Sequence, residues 1–194
     1  MPPKMVWWSL TVCALCFFSS VPGRADDQAA KEPENAVAVN LIRMIDSSIL
    51  NFISPGTVEI PLALEYQHSS GSHFTRFVAV TIIYSAKSGN STFSFEQIYE
   101  ADWHPFNQGM NGWFFGAFLD TSFVDFETSS GSFASDLIIG LGLAIGYELA
   151  LANSLFLEFS GGAGVGIGYN SGSFGSVIVP AFPYRVDVAL GYRF

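Results

Sequence analysis

Between Tyr184 and Phe194 large apolar side chains alternate with polar or small ones without a break. Period two puts Tyr184, Val186, Val188, Leu190, Tyr192 and Phe194 on one face of a strand and Arg185, Asp187, Ala189, Gly191 and Arg193 on the other. One face suits hydrocarbon and the other a filled polar interior, the pattern of a transmembrane β-strand. A half-buried strand of a water-soluble protein alternates in the same way, but two arginines and an aspartate on one face weigh against it.

The same reading gives eight strands, at 36–46, 57–67, 74–85, 92–103, 112–124, 136–149, 154–169 and 183–194. Each reaches the roughly 9–11 residues that a tilted spanning strand needs. Turn chemistry separates them, as in Lys87-Ser88-Gly89-Asn90, Ser129-Ser130-Gly131 and Asn170-Ser171-Gly172. With both ends inside, the external connections are expected at 47–56, 86–91, 125–135 and 170–182, and the internal ones at 68–73, 104–111 and 150–153. Leu137, Ile139, Leu141, Leu143, Ile145 and Tyr147 face outward on strand six, against Gly140, Gly142, Ala144, Gly146 and Glu148. Strands three and four alternate less cleanly, and their registers stay open. A lipocalin-like soluble barrel, with its apolar face inward, is the competitor. It would expose a glycine-lined exterior to water, whereas a tight lumen uses glycine for curvature or to admit large side chains from the opposite wall.

The amino-terminal segment carries Lys4, an apolar stretch from Met5 to Ser20 and small residues up to Ala25, so residues 1–25 read as an export signal cut after about Ala25. Both cysteines, Cys13 and Cys16, lie within it, and neither follows a residue suited to lipid attachment. The mature chain is then free of thiol chemistry. Residues 26–35 are polar and aperiodic, a periplasmic lead-in, and 36–194 form the barrel. After residue 25 no apolar run is long enough for a spanning helix, so membrane insertion must use strands closed into a barrel. Cleavage removes Lys4 and Arg24, leaving 6 of the 8 Lys and Arg against 17 Asp and Glu, a net charge of −11. Such a balance argues against nucleic acid as a partner.

The export signal, the eight alternating strands and the final Gly191-Tyr192-Arg193-Phe194 resemble the small eight-stranded outer-membrane β-barrel proteins of the OmpA and OmpX type. The runs Val39-Asn40-Leu41-Ile42, Gly140-Leu141-Gly142 and Gly161 to Gly168 are similar to less characterised members of that group. The resemblance implies an all-β, antiparallel, up-and-down transmembrane barrel in the outer membrane of a diderm bacterium. It also implies that Val186, Val188, Leu190, Tyr192 and Phe194 are read by the barrel-assembly machinery. No peptidoglycan-binding domain is expected after the barrel, so the resemblance does not imply wall anchoring.

Chemistry then has to come from the lumen or the loops. The inward face is expected to collect Arg43, Glu59, Glu65, Asp120, Glu148, Glu158, Arg185, Asp187 and Arg193. Charges held away from water need partners, so these residues are expected to form a salt-bridge network that plugs the barrel. Six carboxylates against three arginines would make any open path prefer cations. His68-Ser69-Ser70 resembles the His-x-Ser motif of the outer-membrane lipid A deacylase PagL, but it falls at an inner turn, away from the outer leaflet. His68, His73 and His104 are conceivable metal ligands, although histidines in polar turns are ordinarily solvated. The expectation is a monomeric, non-enzymatic barrel with no cofactor, in contact with outer-membrane lipids, with a structural or surface-interaction role.

Overall fold

A computed structural model describes residues 35–44, 58–69, 73–106, 110–131, 133–152, 154–173 and 175–194. The signal segment, nearly all of the lead-in and the first external connection lie outside these residues. Nine strand segments follow in order: β1 (Asn35–Asn40), β2 (Val58–Ser69), β3 (Phe74–Lys87), β4 (Asn90–Trp103), β5 (Gly112–Glu127), β6 (Phe133–Ala150), β7 (Leu155–Gly172), β8 (Gly175–Ala181) and β9 (Tyr184–Arg193). Every pairing is antiparallel. β8 and β9 pair with successive parts of β7 in one unbroken register, Gly166 opposite Ala181 and Ala163 opposite Tyr184. They form a single stave interrupted at Phe182-Pro183, where Pro183 has no N–H to donate although its carbonyl still accepts from Gly164 at 2.8 Å. Eight staves therefore close into an antiparallel barrel through the β1–β9 pair.

The alternation sorts side chains as the strand geometry requires. Along β5 from Gly112 to Asp120, buried and exposed residues alternate without exception. Large apolar side chains face outward around the ring, among them Leu62 and Leu64 on β2, Trp103 on β4, Leu141 and Leu143 on β6 and Val165 on β7, while most of the charges face in. The interior also holds two apolar clusters, one of Ala36, Ala38, Met110, Phe156 and Ala189, the other of Phe77, Ala79, Ile98, Phe118 and Ala144.

Three expected features take a different form. The first strand ends at Asn40 rather than 46, and residues 41–44 make a helical turn. Asn40 caps that turn, its Oδ1 accepting from the Arg43 amide at 3.1 Å. The neighbouring strand could not have zipped further in any case. Asn35 and Phe194 exchange backbone hydrogen bonds, so the even positions of β1 direct their backbone groups toward β2, and a continued β1 would have met Pro61, which has no N–H to offer. The external connections at 86–91, 125–135 and 170–182 prove to be largely strand. β3 and β4 turn over Ser88 and Gly89 alone, both at positive φ (50° and 81°), the geometry of a tight hairpin turn. β6 and β7 each run 18 residues, which at a barrel's tilt rise about 45 Å.

The third difference concerns the lumenal glycines. At three of them the ring that occupies the space comes from the adjacent strand and not from the opposite wall. Phe114 stands directly across from Gly146, Phe118 from Gly142 and Phe156 from Gly191, and each ring lies where a Cβ on its partner would sit. A phenylalanine covering a cross-strand glycine protects bare backbone and fills the lumen at once.

Around Gly146 all the nearest atoms belong to the Phe114 ring. Gly146→Ala should therefore destabilise the folded barrel by about 1–3 kcal/mol through overpacking. Phe114→Leu in the same chain should return part of that loss in urea unfolding from detergent micelles. Strictly additive losses would show that the ring does not rest on this glycine.

Candidate functional site

The lumen is organised around three arginines. Nearest Asn35 and Phe194, Arg193 pairs with Glu148, donates to the Met110 carbonyl and to Asn111 Oδ1 (3.0 Å), and lies 5.0 Å over the Phe156 ring. Further in, Arg185 pairs with Glu100, with Asp187 at 2.5 Å and, more distantly, with Glu158 at 4.0 Å. It also donates to Ser160 Oγ at 3.0 Å and stacks 4.9 Å over Phe77. Gln67 donates to Glu158 at 2.5 Å. Toward the opposite end of the barrel, Arg43 reaches down from the helical turn to Glu96 and, at 3.2 Å, to Asp187. Asn40 joins these groups, donating to Glu65 at 2.9 Å and to Asp187 at 2.6 Å while its Oδ1 caps the turn.

Of the residues expected in this network, Glu65, Asp120, Glu148, Glu158, Arg185, Asp187 and Arg193 are buried inside the ring. Arg43 belongs to the same network, but from the helical turn instead of a strand. The Glu59 side chain lies outside the described residues. Asp120 is brought inside without an ion pair among the described residues, and its Oδ1 has no hydrogen-bond partner. Val186, Leu190, Tyr192 and Phe194 are exposed on the outer face, with Val188 half-buried beside them.

Sequence reasoning missed one wall of the lumen. Glu96, Ile98, Glu100, Asp102 and His104 lie at every second position along β4 and its end, and the three carboxylates and the imidazole all enter the interior. Thr75, Phe77, Ala79 and Thr81 face them from β3. The alternation is readable from Glu96 onward, with Gln97, Tyr99, Ala101 and Trp103 opposite. It is obscured nearer the outer turn, where Thr92 to Phe95 are half-buried on both faces. With these additions, the described interior holds eight carboxylates and three guanidinium groups.

His104 corrects the expectation of a solvated turn. It is 1% exposed, packed 5.6 Å from Phe114, with Nε2 2.9 Å from Thr75 Oγ1. The cause is the long inner connection, which begins by extending the β3–β4 ladder, the His104 amide donating to the His73 carbonyl at 2.8 Å. It then brings Met110 back beneath the barrel, where its carbonyl meets Arg193. Burial holds the His104 imidazole below its ordinary range, in the neutral form. His68 is engaged elsewhere, its Nδ1 3.0 Å from Asn35 Oδ1, and His73 Nδ1 donates to the His104 carbonyl at 3.0 Å. The three histidines do not converge, and no three metal-ligating side chains are gathered among the described residues. Ser70 of the His-x-Ser motif lies outside the described residues.

A comparison with known protein families found no matching family model, and one with curated proteins found no match. What stands is a closed eight-strand barrel whose interior is occupied by a charged and hydrogen-bonded network.

Glu148 and Arg193 give that network its clearest isolated pair, both nearly excluded from water. Removing one partner strands the other charge, so Arg193→Met alone should cost roughly 3–5 kcal/mol. Adding Glu148→Gln should recover much of the loss. A double-mutant cycle by thermal unfolding in detergent checks this, and additive losses would show the two groups to be uncoupled.

Proposed function

We propose that this chain is an exported outer-membrane β-barrel of the small OmpA and OmpX type, plugged by its own side chains, with a structural or surface-interaction role. The observation that carries this reading is the orientation of the barrel: an apolar belt outside and most of the charges inside. Leu143 is 72% exposed while its neighbour Ala144 is 7% exposed, and Ile60, Val165, Ile167 and Val186 add to the same belt. A water-soluble barrel would bury that face, and exposed apolar surface on this scale needs a covering medium. Ring closure supports the reading, since hydrocarbon offers no partner to an unpaired strand edge. Trp103, Trp113, Tyr147 and Tyr192 collect at the end where Asn35 meets Phe194, as an interfacial aromatic girdle would. The outward row Val186, Val188, Leu190, Tyr192 and Phe194 would be presented to the assembly machinery. The β5–β6 and β7–β8 hairpins, projecting past the belt, are the surface available to a partner outside.

A cation-preferring pore is the second reading, favoured by the excess of lumenal carboxylates over arginines. The filled interior supports the plug instead. Refolded protein in a planar bilayer should show no unitary conductance; reproducible cation-selective steps would replace the plug with the pore.

The membrane assignment has its own check. Leu143→Arg should destabilise the barrel by about 2–4 kcal/mol if that position lies near the bilayer midplane. Ala144→Ser, facing the lumen, should be far better tolerated in unfolding from lipid vesicles. Equal losses, or the reverse order, would mean that the apolar belt does not face lipid.

A further inference from the structure

Glu100 and Asp102 stand two residues apart on the inward face of β4, at 5% and 6% exposure. Glu100 offers Oε2 to Arg185, and Asp102 Oδ2 receives a long hydrogen bond of 3.5 Å from Thr75. The other oxygen of each, Glu100 Oε1 and Asp102 Oδ1, has no hydrogen-bond partner. Both aim at one spot: they lie over the Cα of Gly116 on β5, where a Cβ would collide with each of them. Glycine is what leaves room there for two carboxyl groups.

Among the described residues, none offers Asp102 a counter-charge. Thr75 and Phe77 flank the two residues from β3, and Gly116 and Phe118 from β5, with Asp120 further along that strand. Arg185 on β9 is committed to Glu100, Asp187 and Ser160, and Arg193 to Glu148. Glu148 on β6 and Glu158 on β7 lie within electrostatic range of Asp102 and are carboxyls themselves. His104, below, shares Thr75 with Asp102. A carboxylate so deeply buried, with no counter-charge beside it among the described residues, is avoided by neutralisation. Two carboxylate oxygens crowded over the one Cα are two acceptors with no donor, and a single proton turns one of them into the donor that the other lacks. The described residues around them do not include a third side chain placed to complete a metal site.

We propose that Glu100 and Asp102 form a proton-binding pair, in which Asp102 holds a proton on Oδ1 and donates it to Glu100 Oε1 while Arg185 balances the charge left on Glu100. One proton satisfies both orphan oxygens and leaves this part of the lumen without an uncompensated anion. Loss of the proton sets two like charges against each other over Gly116, a repulsion that only water or separation relieves. The proposal deepens the plugged-lumen reading and rests on it.

Infrared spectroscopy of the full barrel folded in detergent reads the proton directly. At neutral pH the unmutated protein should show the C=O stretch of a protonated carboxyl, and carbon-13 labelling of aspartate carboxyls should shift it. Asp120→Asn should leave that band, Asp102→Asn should abolish it, and Glu100→Gln should move it by changing the acceptor. The thermal midpoint should fall as the pH rises toward the point where the band is lost and level off beyond it, a dependence that Asp102→Asn lacks. A band that ignores aspartate labelling, or one that survives Asp102→Asn, would overturn the pair. So would absence of the band together with a midpoint raised by sodium or calcium chloride, which would make this a cation site. The two readings fail separately: conductance in a bilayer would overturn the plug, whereas loss of the infrared assignment with a silent bilayer would overturn the pair alone.

Discussion

Closing eight strands into a ring pairs the backbone of each stave with both neighbours and fixes the interior at about the width of the side chains that line it. Alternation then leaves no choice about which residues fill that space. Large apolar residues that go outward cannot contribute, so the inward positions must supply both volume and polarity. Volume comes from Phe77, Phe114, Phe118 and Phe156. Polarity comes from three arginines that each bridge several groups from different staves. Arg185 shows why a guanidinium suits such a lumen, because its fixed fork reaches β4, β7 and its own strand together, and its flat face covers Phe77. A lysine at that place would make point contacts and lose the stacked face.

The glycines and the phenylalanines are two halves of one device. Gly142, Gly146 and Gly191 each face a ring across the ladder, and exchanging the residues within any pair would keep the composition but move the ring to another wall. Gly164 and Gly166 serve differently: a Cβ on either would strike the backbone of β6 at Leu141 or Ile139. Tight coiling of β6 against β7 therefore depends on bare backbone, while the rings of β5 and β7 depend on bare space.

Much of this is legible in the chain itself. The eighth stave, with Arg185, Asp187 and Arg193 inward, follows from eleven residues of strict alternation, and the inward faces of β5 and β6 follow as directly. β3 and β4 are harder for a physical reason. Val78, Val80 and Ile82 alternate with Phe77, Ala79 and Thr81, so both faces are largely apolar and period two carries little contrast. What goes unseen as a result is the lumenal placement of Glu96, Glu100, Asp102 and His104. The end of β1 is not legible at all from hydropathy, because Leu41 and Ile42 continue the apolar pattern past the point where Asn40 turns the chain. Only the cap and the proline across the ladder reveal it. In the outer hairpins Ser, Gly and Asn point to loops, although a long strand that has left the apolar belt has every reason to be polar.

Asn40 has a consequence for the order in which the ring comes together. Its side-chain amide donates to Glu65 on β2 and to Asp187 on β9, the strands on either side of β1. The first partner is 25 residues away and the second 147, so one bond forms within a local hairpin and the other needs almost the whole chain in place. The entropy of closing so long a loop is recovered only when β1 meets β9. Until then the amide is half-satisfied and Asp187 lacks one of its donors. Asn40 thus works as a latch across the β1–β9 closure, coupled through its side-chain carbonyl to the turn that carries Arg43 into the lumen.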